Sequence, residues 1–134
     1  MSVRAIRGAV QVERDDPGLL RDGVQLLIKE VMSANALDPD ALISMVFTAT
    51  PDLVSAFPAA GARELGLVDL PLMCARELDV KGALPRTVRL LAHVETDRGK
   101  SQIRHVYLGG AAELRPDLAR PDPTRTELGR ADAG

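Results

Sequence analysis

Residues 42–48 read LISMVFT, a nearly continuous apolar run that stands between two breaker triplets, DPD at 38–40 and TPD at 50–52. A short apolar run bounded in this way predicts a buried β-strand. Because polar side chains do not alternate with the apolar ones, we expect this strand to be central in its sheet and buried on both faces. The segments on either side of it are interpreted as the elements that surround this strand.

The first of these segments predicts a half-buried strand. Residues 3–13 alternate between apolar or small side chains, such as Ile6, Gly8 and Val10, and the intervening positions. Successive residues of a strand point to opposite faces of its sheet. We therefore expect Arg7 to project away from the face that carries Ile6 and Val10.

An amphipathic helix is predicted next. Asp16 followed by Pro17 is typical of a helix start, with an N-cap carboxylate and proline at the first helical position. Apolar residues then recur at helical spacing as far as Met32, which predicts a helix that covers one face of the sheet. The apolar stripe consists of Leu20, Val24, Leu27, Ile28 and Val31.

A short helix and an edge strand are predicted after the central strand. The helix is expected from about residue 59 to 65, and Gly66 follows it in the position where glycine commonly ends a helix. Residues 70–75 predict a strand, in which Pro71 cannot donate a backbone hydrogen bond. Proline in such a run indicates an edge strand.

Two further strands complete the sheet. Val88 and Leu90 alternate with Arg89, so the Arg89 side chain is expected on the opposite face from the Val88/Leu90 row. Residues 103–108 predict a fifth strand, with Ile103, His105 and Tyr107 on one side. Together, these five strands and two helices predict an α+β domain, in which the helices cover one face of a mixed five-stranded sheet.

Length, charge and cysteine content limit the class of protein. At 134 residues the chain predicts one domain, at residues 1–118, followed by a mobile tail at 119–134 that has no apolar periodicity. A net charge of −2 argues against nucleic-acid binding, and a single cysteine excludes an intrachain disulfide. Without an apolar run long enough to span a bilayer, we expect a cytoplasmic protein that has no membrane partner.

The residue types exclude several familiar kinds of site. Two histidines and one cysteine do not provide the spacing of a metal site, and no nucleotide-binding glycine loop occurs, so we expect no metal and no cofactor. His93 and His105 are interpreted as ordinary strand residues rather than general bases. What remains is a set of charged or polar side chains near element ends, which indicates catalysis by positioned charge. The set is Arg7, Arg63, Cys74, Glu77, Arg89, Tyr107 and Arg115.

Seven collinear segments then resemble the monofunctional chorismate mutases of the AroH class, from about residue 3 to 118. The resemblance implies a homotrimer whose sheets form a pseudo α/β-barrel, with active sites between neighbouring subunits. It also implies that chorismate is the substrate, converted to prephenate in aromatic amino acid biosynthesis. The segments are residues 4–9, 12–15, 49–53, 57–59, 62–65, 103–108 and 114–118.

The same resemblance implies roles for individual residues. Arg89 would reach the ether oxygen of the substrate, Glu77 and Cys74 would meet its ring hydroxyl, and Arg7 with Tyr107 would bind a carboxylate. A concerted Claisen rearrangement needs no nucleophile and no proton transfer, which agrees with the sites excluded above. Further substrate contacts are implied for Phe57, Ala59, Arg63, Met73, Leu114 and Arg115.

The chain departs from the family pattern at Ala60, where a lysine is common, and at Met73, where a hydroxyl residue is common. Without this lysine we expect weaker electrostatic attraction of the dianionic substrate, and a smaller effect on the rearrangement itself. Two other functions stay open at this point. One is a regulatory trimer that binds a small dicarboxylate without reaction, and the other is a trimeric enzyme that hydrolyses imines.

Overall fold

The computed structural model of the chain describes residues 1–113; Leu114, Arg115 and the predicted tail at 119–134 lie outside these residues. Three 3-10 turns, Pro39–Ala41, Lys100–Gln102 and Gly109–Glu113, connect or follow the main elements. The strands are β1 (Ser2–Gln11), β2 (Leu42–Ala49), β3 (Leu72–Arg76), β4 (Thr87–Thr96) and β5 (Val106–Leu108), and the helices are α1 (Pro17–Ala34) and α2 (Pro58–Glu64).

The five strands form one mixed sheet in the order β3-β2-β4-β1-β5. Strand β4 runs antiparallel to both of its neighbours, β1 and β2. The two edge strands are parallel to the strands beside them, β3 to β2 and β5 to β1. The predicted α+β class with a mixed five-stranded sheet is confirmed.

Helix α1 begins and packs as the sequence predicts. The Asp16 carboxylate accepts a hydrogen bond from the Leu19 N–H at 2.9 Å, and Pro17 is the first helical residue. The buried residues of the helix are the five of the predicted stripe. A Cβ atom at Gly8 of β1 would lie 3.0 Å from Leu27 Cδ1, so the helix rests closely on this strand.

Helix α2 packs on the same side of the sheet. It ends at Glu64, and Gly66 follows with φ of +95° while its N–H bonds to the Arg63 carbonyl at 2.9 Å. This is the glycine-terminated end that the sequence predicts. A Cβ atom at Gly61 would lie 3.2 Å from Val24 Cγ1, so the two helices are in direct contact.

Strand β2 lies inside the sheet, but the prediction that both of its faces are buried is wrong. Met45 and Phe47 are buried on the helix side, at 1% and 0% exposure. On the other side Val46 and Thr48 are only half-buried, because both helices lie on one face of the sheet. We call the uncovered side of the sheet the open face.

The two edge strands differ from their predicted bounds. Strand β3 is an edge strand as expected, but it begins after Pro71, whose carbonyl accepts the Met45 N–H at 3.0 Å. Strand β5 begins at Val106, so the predicted start at residue 103 is wrong. The buried Asn35 side chain bonds to both backbone groups of Arg104, at 2.8 and 2.9 Å, and these groups are therefore not available to a strand ladder.

Candidate active site

One row of residues crosses the open face from edge to edge. Tyr107, Ala9, Arg89, Thr48 and Ala75 are successive neighbours on β5, β1, β4, β2 and β3. Ala9 places only a methyl group between Tyr107 and Arg89 in this row. The Tyr107 ring is 2% exposed and packs with Ala9 and Ala111.

A second row lies one step along the strands. It runs from Arg7 through Leu91 and Val46 to Met73. Arg7 is exposed on this row and so projects from the open face, as the alternation of β1 predicts. The two arginines therefore stand on adjacent rows of neighbouring strands.

The two rows enclose a cavity of about 430 Å³ that we call the arginine cleft. Its guanidinium groups belong to Arg7 and Arg89, and its hydroxyl groups to Thr48 and Tyr107. The remaining lining is apolar or backbone, from Gly8, Val46, Leu90 and Leu91. Two guanidinium groups against an apolar wall form a site suited to a small organic anion.

Glu77 brings a negative charge to the arginine cleft. Its Oε1 atom lies 3.0 Å from Arg89 Nε, while its Oε2 atom accepts a hydrogen bond from the Thr48 hydroxyl at 3.1 Å. The Arg89 contact is a close charge pair rather than an aligned hydrogen bond, since Nε makes no hydrogen bond within residues 1–113. The Glu77 backbone N–H bonds to the Ala49 carbonyl at 3.0 Å, which extends the β2–β3 pairing by one step and fixes the residue.

Thr48 is a site residue that the sequence analysis missed. In the sequence it belongs to the apolar run 42–48 and carries no sign of a polar role. Its role follows from pairing, because β2 places it directly beside Arg89 of β4 and Ala75 of β3. Recognising it from sequence would require the strand order as well as the strand.

A second cavity, of about 510 Å³, holds other predicted site residues, and we call it the Phe57 cleft. Phe57 and Cys74 line it together with Ala75, Arg76 and the chain at 49–51 and 53–58. Cys74 pairs with Phe47 and packs against the core on the helix side, so its side chain lies on the opposite face from Arg89. In one chain, Phe57 and Cys74 therefore do not line the arginine cleft.

The remaining predicted contacts have separate positions. Ala59 is buried at 4% exposure in the first turn of α2, whereas Arg63 is exposed near the end of that helix. Met73 is 66% exposed, at the β3 end of the second row. Leu114 and Arg115 lie outside the described residues.

Asp15 holds the loop that forms one wall of the Phe57 cleft. Its carboxylate accepts the backbone N–H groups of Val54 and Ser55, both at 3.1 Å. The Ser55 side-chain hydrogen bond, together with these backbone bonds, lowers the pKa of Asp15 below its ordinary value of 3.8.

A polar cluster also fixes the start of β4, just before Arg89. The Arg86 N–H donates to both carboxylate oxygens of Asp52, at 3.2 and 3.0 Å, and Arg86 has φ of +51°. The Thr87 N–H donates to the Thr50 hydroxyl at 3.0 Å. The triplet at 50–52, interpreted from sequence only as a breaker, thus anchors the strand that carries Arg89.

Residues 1–113 contain neither a metal-binding group nor a membrane-spanning helix. No group of three or more histidine, cysteine, aspartate or glutamate side chains in this range could hold a metal ion. None of the helices described is long and apolar enough to cross a membrane.

Comparison with known proteins gives consistent results. The family model "Chorismate mutase type I" matches residues 3–118. The chain is 45% identical to the chorismate mutase AroH of Thermus thermophilus over 117 residues, which covers 87% of this chain and 96% of that protein. It is 41% identical to the chorismate mutase AroH of Bacillus subtilis over 120 residues, which covers 89% and 94% respectively. A solved structure of a chorismate mutase from Clostridium thermocellum superposes with a TM-score of 0.81 at 44% identity, covering 82% of this chain and 98% of that one.

Proposed function

This chain belongs to the chorismate mutase type I family and is a chorismate mutase, and from that premise we propose that the arginine cleft is where it converts chorismate to prephenate. The reaction breaks one carbon–oxygen bond and forms one carbon–carbon bond within a single molecule. It needs no electron or proton carrier. The work left to the protein is to fold the substrate and to stabilise the charge that develops.

The observation that carries the proposal is the Arg89–Glu77–Thr48 arrangement. Negative charge accumulates on the ether oxygen as its bond to the ring lengthens, so a fixed cation there stabilises the transition state more than the substrate. Arg89 Nε lies 3.0 Å from Glu77 Oε1 and so forms a close charge pair with it. We assign the terminal guanidinium nitrogens of Arg89 to the ether oxygen and a carboxylate.

We assign Glu77 to the ring hydroxyl of the substrate. An ionised carboxylate only accepts hydrogen bonds, and a substrate hydroxyl can donate one. The Thr48 hydroxyl holds Oε2 at 3.1 Å and so restricts the rotation of the carboxylate. A substrate analogue that lacks the hydroxyl would leave the Glu77 charge facing an anion, which disfavours its binding.

Arg7 and Tyr107 are assigned to the substrate carboxylate that remains. A guanidinium group can hold a carboxylate by two parallel hydrogen bonds, which fixes orientation as well as position. Tyr107 is rigid because its ring is packed at 2% exposure. Holding the flexible enolpyruvyl arm over the ring converts a rare conformer into the bound one, and this positioning lowers the barrier.

The active site is proposed to be completed between subunits of a homotrimer. The supporting observation is that Phe57 and Cys74 line a separate cavity from Arg7 and Arg89 in one chain. Phe57 at 72% exposure and Met73 at 66% are also large apolar side chains without cover. Packing of one subunit's Phe57 cleft against the next subunit's open face would bury them and join the two halves. We place this biosynthetic enzyme in the cytoplasm.

The test is the time course of chorismate absorbance with purified protein. Wild-type protein is expected to consume chorismate and release prephenate. The Arg89→Gln variant is expected to turn over about a hundredfold more slowly or worse, as the loss of one oxyanion donor typically causes. Arg21→Gln is the matched control, because Arg21 is an exposed residue of α1 that pairs only with Asp22 at 3.0 Å within residues 1–113.

Two results would contradict the proposal. Near wild-type turnover in Arg89→Gln would remove Arg89 from the chemistry. Calorimetric binding of chorismate without any change in absorbance over hours would instead indicate a dicarboxylate-binding protein.

A further inference from the structure

His105 makes an unusual contact with the backbone of a substrate-binding residue. The Arg7 backbone N–H donates a hydrogen bond to His105 Nδ1 at 2.9 Å. A backbone amide can only donate, so Nδ1 must carry a lone pair, and the imidazole is in the neutral form with its proton on Nε2. The contact exists only while the ring is uncharged.

This hydrogen bond lies at the end of the β1–β5 pairing and extends it by one residue. The β1–β5 ladder runs only from Gly8 to Val10 against Val106 to Leu108, and Arg7 is the residue just before it. The imidazole takes the place of a backbone acceptor at that point. Strand β4 pairs with β1 on its other side, so the imidazole completes the backbone hydrogen bonding at the residue whose side chain lines the arginine cleft.

We propose that His105 is a positioning residue for Arg7, and that its neutral imidazole keeps the Arg7 guanidinium aligned with the substrate carboxylate. The inference rests on the proposed function, since it takes Arg7 as a substrate-binding residue. Loss of the hydrogen bond weakens substrate binding and leaves the charge stabilisation by Arg89 in place. The effect is therefore a rise in KM with little change in kcat.

Protonation of His105 is expected to break this contact. The ring lines a cavity of about 430 Å³ together with Arg4 of β1, His93 of β4 and Lys100 of the turn before β5. Protonation removes the lone pair that the Arg7 backbone uses and adds positive charge to a cavity that Arg4 and Lys100 also line. We expect kcat/KM to fall at acidic pH as the imidazole becomes charged.

The experiment compares two variants of His105 with one of His93. In His105→Asn the side-chain oxygen occupies the place of Nδ1 and can still accept from Arg7, but it does not titrate. His105→Leu has a similar size and no acceptor. His93→Asn is the control, since the chain contains only these two histidines and His93 contacts the Ser44 hydroxyl at 3.2 Å instead.

Initial rates with chorismate are measured between about pH 5 and pH 8, the range in which histidine ordinarily titrates. At the upper pH, His105→Leu is expected to raise KM about five- to tenfold with kcat changed less than about twofold, as for one lost hydrogen bond. His105→Asn is expected to keep a KM within about twofold of wild type. Both variants lose the fall in kcat/KM at acidic pH, and His93→Asn keeps it.

Two kinetic outcomes would overturn the inference. One is a wild-type KM in a folded His105→Leu, and the other is an unchanged acidic fall of kcat/KM in His105→Asn. Nitrogen-15 NMR of the imidazole gives a readout that does not depend on activity. A Nδ1 atom that carries a proton at neutral pH would also refute the proposal, whereas wild-type protein without mutase activity would refute the proposed function instead.

Discussion

At the scale of single residues, Glu77 is held by two different kinds of partner. Arg89 supplies charge at 3.0 Å, and Thr48 supplies a directed hydrogen bond at 3.1 Å. The Arg89 side chain is 42% exposed and the Glu77 side chain 15%, so water reaches the pair mainly from the Arg89 side and reduces its contribution to folding. The arrangement therefore matters more for the orientation of the two groups than for the stability of the chain.

Thr48→Val tests this orientation, because valine has the shape of threonine but no hydroxyl. The variant is expected to lower kcat/KM about fivefold to twentyfold, in keeping with the loss of one hydrogen bond to a charged group. The free energy of unfolding is expected to change by less than about 1 kcal/mol, since Thr48 is half-buried. Steady-state kinetics and urea unfolding measure the two quantities.

Thr48→Ser is the matched control, because serine keeps the hydroxyl and removes only a methyl group. It should retain most of the wild-type kcat/KM. Equal losses of kcat/KM in the serine and valine variants would show that packing, and not the hydrogen bond to Glu77, is what Thr48 provides.

The sequence predicted the direction of individual strand residues well and their partners poorly. Alternation in β1 and β4 placed Arg7 and Arg89 on the face away from the core, and the structure confirms both. The pairing of Glu77 with Thr48 depends on β2 lying between β3 and β4. No local pattern in the sequence encodes that neighbour relation.

At the scale of secondary-structure elements, α1 packs tightly against β1 at Gly8. A Cβ atom at Gly8 would lie 3.0 Å from both Leu27 Cδ1 and the Val106 carbonyl oxygen. The carbonyl belongs to the β1–β5 pairing and cannot move without disturbing it. Gly8→Ala is therefore expected to lower the free energy of unfolding by about 1–3 kcal/mol, the usual range for overpacking.

Gly99→Ala is the control for this prediction. A Cβ atom there would lie 3.7 Å from the end of the Gln102 side chain, an ordinary contact, and φ is −76°. Urea unfolding should place this variant within about 0.5 kcal/mol of wild type. A Gly8→Ala variant as stable as Gly99→Ala would mean that α1 can shift without cost.

The loop between β2 and α2 gives a pH-dependent prediction through Asp15. Its pKa is lowered in the folded chain, chiefly by the Ser55 side-chain hydrogen bond. The folded chain therefore favours the ionised form, and this contribution to stability is complete above the unfolded value of about 3.8 and is lost as pH falls through the lower folded value.

Asp15→Asn should remove this contribution and so flatten the decline of stability in acid. The measurement is the urea midpoint of wild type and variant from neutral pH down to below the ordinary aspartate value. The gap between the two midpoints is expected to narrow as pH falls. A gap that stays constant, or widens in acid, would contradict the role of the ionised carboxylate.

Elements were predicted most reliably where a local signal exists. The cap at Asp16, the buried stripe of α1 and the glycine after α2 all depend on short-range chemistry, and all are confirmed. The errors at β2 and β5 have a different origin. At β2, an apolar run cannot show which face of the sheet the helices leave uncovered. At β5, the backbone of Arg104 is hydrogen-bonded by the Asn35 side chain, which lies 69 positions away in the sequence.

At the scale of the whole molecule, the proposed homotrimer implies that each active site takes its two halves from different chains. Mixed trimers made from Arg89→Gln and Phe57→Asp subunits test this directly. Each variant alone is expected to be nearly inactive, the first without the cation and the second with a carboxylate facing an anionic substrate. In randomly mixed trimers about a quarter of the interfaces would combine two intact halves.

Activity in the mixture is therefore expected to recover to about a quarter of the wild-type value. Sedimentation of the mixture checks that trimers form, and the unmixed variants at equal total concentration are the controls. A mixture as inactive as its components would mean that both clefts act within one chain, or that assembly does not bring them together.

The Asn35 side chain links the end of α1 to the chain just before β5, and so to the neighbourhood of the proposed active site. Asn35 Nδ2 bonds to the Val31 carbonyl at 2.8 Å and to the Arg104 carbonyl at 2.9 Å, one residue before His105. Terminal turns of helices open more readily than a packed core. On warming, opening of the last turn of α1 would release Arg104 and the adjacent His105, which contacts Arg7, while the core is still folded. Loss of turnover should precede loss of the circular dichroism signal, so that thermal inactivation and melting occur as two separable events.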